Sequence, residues 1–143
     1  MTEHPMGRFA RAFCDALSAG EPARIAPLLH DEIEWTVFGP VGLLPFFGQR
    51  QGKVAVIAML GRICETLQLR GCDMEHSLTD GTHAARMMRV RARDLRTGRI
   101  LSLRLALFAQ FADGQLTALR AVFDTFDAVE QAIGRHIDLP AVA

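Results

Sequence analysis

Neither sign of charge predominates in this sequence: sixteen lysines and arginines face sixteen aspartates and glutamates, for a formal net charge of zero. That balance gives no general attraction to nucleic acid or to an acidic membrane surface. No apolar run is long enough to span a bilayer. The opening residues, Met1-Thr2-Glu3-His4-Pro5, lack the apolar stretch of a signal peptide, so a cytoplasmic location is the expectation. Cysteine is scarce. Cys14, Cys64 and Cys72 form an odd set without a CxxC pair, which argues against a disulfide framework or a structural zinc site. Each lies among apolar neighbours and is expected to act as a small core residue. His4, His30, His76, His83 and His136 show no metal-ligand spacing. There is no nucleotide-binding glycine loop, no nucleophile elbow, and no serine or cysteine paired with a plausible base. No metal and no cofactor are implied. Nor is there an internal repeat, linker or low-complexity stretch, and half of the 143 residues are hydrophobic. One ordered domain, 1–143, follows.

What the sequence does contain is two-faced strands. Ala84 to Arg93, Ile100 to Phe111 and Gln115 to Asp124 alternate apolar and polar residues, with tight turns at Arg96-Thr97-Gly98 and Asp113-Gly114. Successive residues of a strand point to opposite faces. One face collects Met88, Val90, Ala92, Leu101, Leu103, Leu105, Leu107, Leu119, Ala121 and Phe123. The other collects Arg89, Arg91, Arg93, Ser102, Arg104, Gln110, Arg120 and Asp124. The apolar face must meet helices or enclose a cavity. The arginine face must meet water, acids or a partner.

Upstream, Met6, Phe9, Ala10, Phe13, Ala16 and Leu17 recur at helical spacing, which predicts a helix over Met6 to Ala19 that Gly20 stops. Pro22 opens a second short helix that Pro27 soon ends. A strand, Ile33 to Phe38, follows His30-Asp31-Glu32. The segment Gly39 to Gly52 holds four glycines and two prolines, which disfavour regular structure, yet it carries Val41, Leu43, Leu44, Phe46 and Phe47. Such a loop is expected to fold over a cavity mouth or a partner subunit. Helical spacing returns over Lys53 to Leu69, with Val54, Ile57, Ala58, Cys64 and Leu67 on one side. Cys72 to Thr79 reads as a strand and Asp80-Gly81 as a hairpin turn. Asp127 is placed to cap a last helix, Ala128 to Gly134. The tail, His136 to Ala143, is expected to fold back on the body. Helices segregated to one face of a curved antiparallel sheet make an α+β domain.

That order, with the residues at its joints, resembles the nuclear-transport-factor-2-like superfamily, and within it the SnoaL-like, ketosteroid-isomerase-related branch. The carrying residues are Phe13 to Glu21 at the end of the first helix, and Asp31-Glu32-Ile33-Glu34-Trp35 at the first strand. Gly48 and Gly52 stand before the long helix, Asp113 to Leu116 make the last hairpin, and Phe123-Asp124-Thr125 closes the final strand. The resemblance spans roughly Met6 to Gly134. It implies a cystatin-like α+β barrel: a cone-shaped curved antiparallel sheet packed on three helices around a deep pocket. It also implies a homodimer through the outer sheet face. Against the limonene-epoxide-hydrolase pattern, the catalytic arginine and two aspartates fall on Met88, Val90 and Ala121, and the tyrosine and asparagine that hold water fall on Trp35 and Val37. Against the ketosteroid isomerase pattern, the tyrosine falls on Phe13, the base on Val37 and the protonated aspartic acid on Leu107. Neither catalytic set carries over.

The candidate residues then divide by face. Cys14, Leu17, Trp35, Val37 and Ile63 are expected to meet a small hydrophobic molecule. So are Met88, Val90, Leu103 and Leu105 on two strands, and Leu119, Ala121 and Phe123 on the last. Trp35 either stacks on that molecule and donates its N–H, or is a core aromatic. Asp124, among large apolar neighbours, is either a general acid or base with a raised pKa or, with Asp127, a helix cap paired to Arg120. SnoaL-like cyclases use an acid near the end of this strand. Arg104 and Arg120 either grip an anion or sit in a salt-bridged homodimer interface with Asp124, Glu75 or Asp73. Two functions stand open: a cofactor-independent isomerase, cyclase, dehydratase or hydrolase, and a non-catalytic small-molecule-binding dimer.

Overall fold

The protein is described by a computed structural model over residues 3–138. The chain from 139 onward, including Pro140, lies outside the described residues. Helix α1, Pro5–Ser18, begins where His4 Nδ1 accepts the Met6 N–H at 3.1 Å, and Pro5 fills a first-turn position that needs no donor. It buries Met6, Phe9, Ala16 and Leu17. Gly20 then takes a left-handed φ of +72° and turns the chain. A 3₁₀ helix, Pro22–Leu28, buries Ile25 and passes directly into strand β1, Leu29–Phe38. The strand starts four residues before Ile33. Its pairing with the last strand of the sheet opens at Leu29 beside Leu116 and resumes at Glu34, and His30, Asp31 and Glu32 fall in the irregular stretch between, where no apolar alternation marks a strand.

Two further expectations need correction. Gly48–Gln51 is a strand, β2, paired antiparallel to β1 with Arg50 opposite Trp35. It is an edge strand with polar side chains, so hydrophobic periodicity could not mark it. Helix α2, Lys53–Thr66, buries Val56, Met59 and Leu60, whereas Val54 is 84 % exposed and Ala58 is exposed. Apolar residues surround this helix, so its spacing did not single out one face. The helix stops at Thr66, whose hydroxyl donates back to Arg62 O and Ile63 O. Leu67 is already extended and opens β3, Leu67–Thr79, five residues before Cys72.

Strands β4 (His83–Asp94), β5 (Ile100–Ala112) and β6 (Gln115–Phe123) follow. Asp113 and Gly114 join the last two with positive φ at both positions, the geometry of a tight hairpin. Helix α3 is Thr125–Ile133. Its cap is Asp124, whose carboxylate accepts the Asp127 N–H, so Asp127 is inside the helix. The strand order is β2-β1-β6-β5-β4-β3. Every pairing is antiparallel except β1 with β6, which is parallel with Trp35 beside Leu119 and Val37 beside Ala121. The α+β cone is therefore built on a mixed sheet that is not closed, with α1 against β3 and α2 against β1 and β3.

The two faces separate cleanly on β5. Leu101, Leu103, Leu105, Leu107, Ala109 and Phe111 are buried, while Arg104, Phe108 and Gln110 between them are exposed. On β4 the buried residues are Ala84, Met88 and Ala92. Arg86 has the same parity and so lies on the inner face, half-buried, with no hydrogen-bond partner for its Nε among the described residues.

Candidate functional site

Between the inner sheet face and helices α1 and α2 is a cavity of about 170 Å³. From α1 come Met6, Phe9, Phe13, Cys14 and Leu17, and from α2 Ile63 and Cys64. β1 contributes Trp35 and Val37, β3 Leu69 and Cys72, and β4 Met88 and Val90. β5 contributes Leu103, Leu105 and Leu107, and β6 Leu119, Ala121 and Phe123. All twelve residues named from the sequence as pocket contacts lie in this wall. Period-two alternation aims one side of every strand at the same space, which is why strands far apart in sequence converge.

The mouth is partly closed by the loop after β1. Phe46 and Phe47 are buried, and the Phe46 ring centroid lies 5.1 Å from that of Phe123. A Cβ on Gly39 would stand 2.2 Å from the Phe47 ring, so this approach requires glycine. Val41 and Leu43 at the loop tip remain exposed. Deeper in, the Phe13 ring stacks at 6.2 Å on Trp35.

Among the wall residues there is no carboxylate, imidazole, amide, hydroxyl or cationic side chain. The polar or polarisable groups are the Trp35 indole N–H, the thiols of Cys14, Cys64 and Cys72, and the thioethers of Met6 and Met88. Trp35 is 5 % exposed and its Nε1 has no hydrogen-bond partner among the described residues. A buried donor left unpaired costs about 1–3 kcal/mol. Cys14 and Cys72 touch, Sγ to Sγ, at 3.2 Å. The Cys72 thiol, holding its proton, lowers the Cys14 pKa. Burial and Asp15 oppose this shift, and the Arg86 charge assists it. Cys72 is correspondingly pushed up by that bond and by burial, and burial alone raises Cys64. Burial also pulls the Arg86 pKa down.

Asp124 stands outside the cavity. Its carboxylate is exposed and occupied as the α3 cap, accepting the Asp127 N–H at 3.2 Å, and the Asp127 carboxylate in turn accepts from Gln131. The expected ion pair with Arg120 is not formed among the described residues. Arg104 faces outward and holds Glu75 in two-pronged fashion, at 3.0 and 3.2 Å, and Arg91 reaches Asp73 at 3.6 Å. Among the described residues no group of three or more histidines, cysteines or acids is placed to hold a metal ion. The Cys14–Cys72 contact and the inward Arg86 were missed from sequence. Arg86 was legible from its parity with Met88. The contact was not, because it depends on a register shift between Leu69 and Gly71 that returns both Leu69 and Cys72 to the inner face.

An open mixed sheet and helices enclosing an apolar cavity define an α+β cone fold, and the comparisons fix the family. The SnoaL-like domain model matches residues 10–119, and the chain belongs to that family. A crystal structure of a "Putative Isomerase" from Rhodopseudomonas palustris is 42 % identical, covers 94 % of this chain and 100 % of its own, and superposes with a TM-score of 0.89. An LEH-like epoxide hydrolase from M. tuberculosis is 17 % identical, with 89 % and 88 % of the two chains covered and a TM-score of 0.68. A protein of ketosteroid isomerase-like fold from Catenulispora acidiphila, in complex with trimethylamine, is 10 % identical over 93 % and 97 %, with a TM-score of 0.71. At these lower identities the likeness is one of fold. No curated protein matches. The positions matched to the two catalytic patterns all line the cavity; Phe13, Val37, Met88, Val90, Leu107 and Ala121 are apolar, and Trp35 alone among them brings a polar N–H.

Proposed function

We propose that this protein binds a small, single-ring apolar molecule carrying one hydrogen-bond acceptor. The observation that carries the proposal is the unpaired, buried indole N–H of Trp35 in an otherwise apolar wall. A carbonyl or ether oxygen would satisfy it. Size narrows the class: a dry cavity of about 150 Å³ takes a benzene-sized guest, and this one is about 170 Å³. Calorimetric titration with acetophenone and with ethylbenzene, which differ at the acceptor, tests the idea. The ketone should bind the tighter, and Trp35→Phe should abolish most of that difference, roughly fivefold for a net bond of about 1 kcal/mol. Binding of neither molecule, or undiminished binding after Ala121→Phe fills the cavity, sinks the proposal.

An isomerase is the second possibility, favoured by the name of the 42 % identical Rhodopseudomonas relative. Such chemistry needs a group that moves a proton beside a carbonyl, and Asp124 is engaged elsewhere. Deuterium incorporation from D₂O into the methyl group of acetophenone, above the buffer rate, would decide for catalysis.

We also propose that the outer sheet face joins two copies. Phe108 (60 % exposed), Val122, Met87 and Phe38 make an apolar centre there, with Arg104, Arg120 and Glu75 around it. A two-fold axis would let each copy's cations meet the other's acid. Three free thiols suit the reducing cytoplasm, where we place the chain.

A further inference from the structure

All three cysteines of the chain line the cavity, but they are not equivalent. Cys64, on α2, makes no thiol contact. Cys14, on α1, and Cys72, on β3, are 58 residues apart in sequence and 3.2 Å apart in space. A disulfide needs about 2.05 Å between sulfurs, so closure asks the two to approach by little more than about 1 Å. One sits on a helix and the other on the strand that packs against it. Arg86 is the cation of the inner face. Its Nε is buried without a hydrogen-bond partner, and its charge is felt at Cys14. A half-buried arginine without a full set of partners is costly to hold and needs an anion nearby. A thiolate at Cys14 would be one.

We propose that Cys14 and Cys72 are a redox pair, with Cys14 the nucleophile and Cys72 the resolving thiol, oxidised by a hydroperoxide. The Cys14 thiolate attacks one peroxide oxygen and the O–O bond breaks. Cys14 becomes a sulfenic acid, and the other oxygen leaves with a proton as water or an alcohol. The Cys72 sulfur then attacks Cys14 Sγ, the S–O bond breaks, and hydroxide leaves with the Cys72 proton as water. Two thiols have given two electrons and the peroxide has taken them. The product ties α1 to β3 across the cavity wall. The direction of the Cys14 pKa, below the ordinary thiol value because Cys72 supports the thiolate, agrees with this order of attack. Ligand binding is not required, so the redox pair can hold or fail independently of the binding proposal.

The test treats the full chain with hydrogen peroxide, quenches with an alkylating agent, digests with trypsin and reads masses. Arginines at 11, 24, 62, 70 and 86 put the three thiols in separate peptides, 12–24, 63–70 and 71–86. The expected result is a disulfide between 12–24 and 71–86, lost on reduction, with 63–70 alkylated as in the untreated protein. In Cys72→Ser, dimedone should trap a sulfenic acid on 12–24. In Cys14→Ser, 71–86 should stay a thiol at the same peroxide dose. Three alkylated thiols in the treated wild type, or a disulfide that includes Cys64, overturns the pairing. The wild-type map needs no variant to fold. A sulfenic acid on 71–86 in Cys14→Ser as readily as on 12–24 in Cys72→Ser overturns the assigned roles.

Discussion

Asp124 lies between Phe123 and Thr125, with Val122 and Phe126 beyond, and a carboxyl in such company could have been buried and perturbed. Its parity already excludes that, because Asp124 alternates with the inward Ala121 and Phe123 and shares the outer side with Arg120 and Val122. β6 stops at Phe123, and Asp124 turns outward to hold the first turn of α3. Replacing it by alanine removes the cap and should cost about 1 kcal/mol, while asparagine, an equally good cap, should cost little. Urea unfolding measures both. Neither change should alter acetophenone affinity, and a loss of binding in a stable Asp124→Asn variant would return the residue to the site. Arg86 teaches the converse. One arginine among several in β4 shares parity with Met88, and the parity outweighs its charge. Composition hides this residue, whereas counting along the strand reveals it. Trp35 was legible as inward-facing but its role was not, because the sequence cannot tell a packed indole from one whose N–H lacks a partner.

Among the elements, the long strands could be read because burial on one face imposes a period of two over nine or more residues. β2 could not, since a glycine and three polar edge residues are strand only because β1 offers them hydrogen bonds. The α2–β3 boundary was misplaced for a related reason. Leu67 suits a helical stripe with Cys64 and a strand face with Leu69 equally, and only the backbone turn at Thr66 decides. The turns are better determined. Asp94 Oδ1 accepts the N–H groups of Arg96 at 2.8 Å and Thr97 at 3.3 Å, and Asp80 Oδ1 accepts those of Thr82 and His83. These bonds favour the carboxylate and hold both pKa values below the ordinary range. A carboxyl lowered on folding stabilises the fold above its unfolded pKa, and the benefit fades as pH falls through the folded one. The stability gap between wild type and Asp94→Ala should therefore be full at neutral pH and shrink below about pH 4. Denaturant titrations at pH 7 and pH 3 measure it. A gap unchanged at acid pH would show that the charge is not what holds the turn.

At the scale of the whole molecule, the parallel β1–β6 pairing is the least legible feature, because it joins segments some eighty residues apart that share no turn. It is also what closes the cavity floor, setting Trp35 beside Leu119 and Val37 beside Ala121. The same sheet leaves its outer face bare. In register order Phe38 adjoins Val122, Val122 adjoins Ala106, and Ala106 adjoins Met87, with Phe108 one step along between Arg120 and Ala85. A stable pair of small proteins hides about 800 Å² on each partner, near a tenth of the 8391 Å² this chain exposes. A contiguous face across four strands can supply that. Sedimentation velocity at micromolar concentration should report a dimer, and Phe108→Arg, which sets a charge at the apolar centre, should give a monomer. Because Phe108 is 60 % exposed, the substitution should leave the fold and acetophenone binding intact. A wild-type monomer, or a Phe108→Arg variant that sediments as the wild-type dimer, would remove the outer face from the assembly and leave the cavity argument standing by itself.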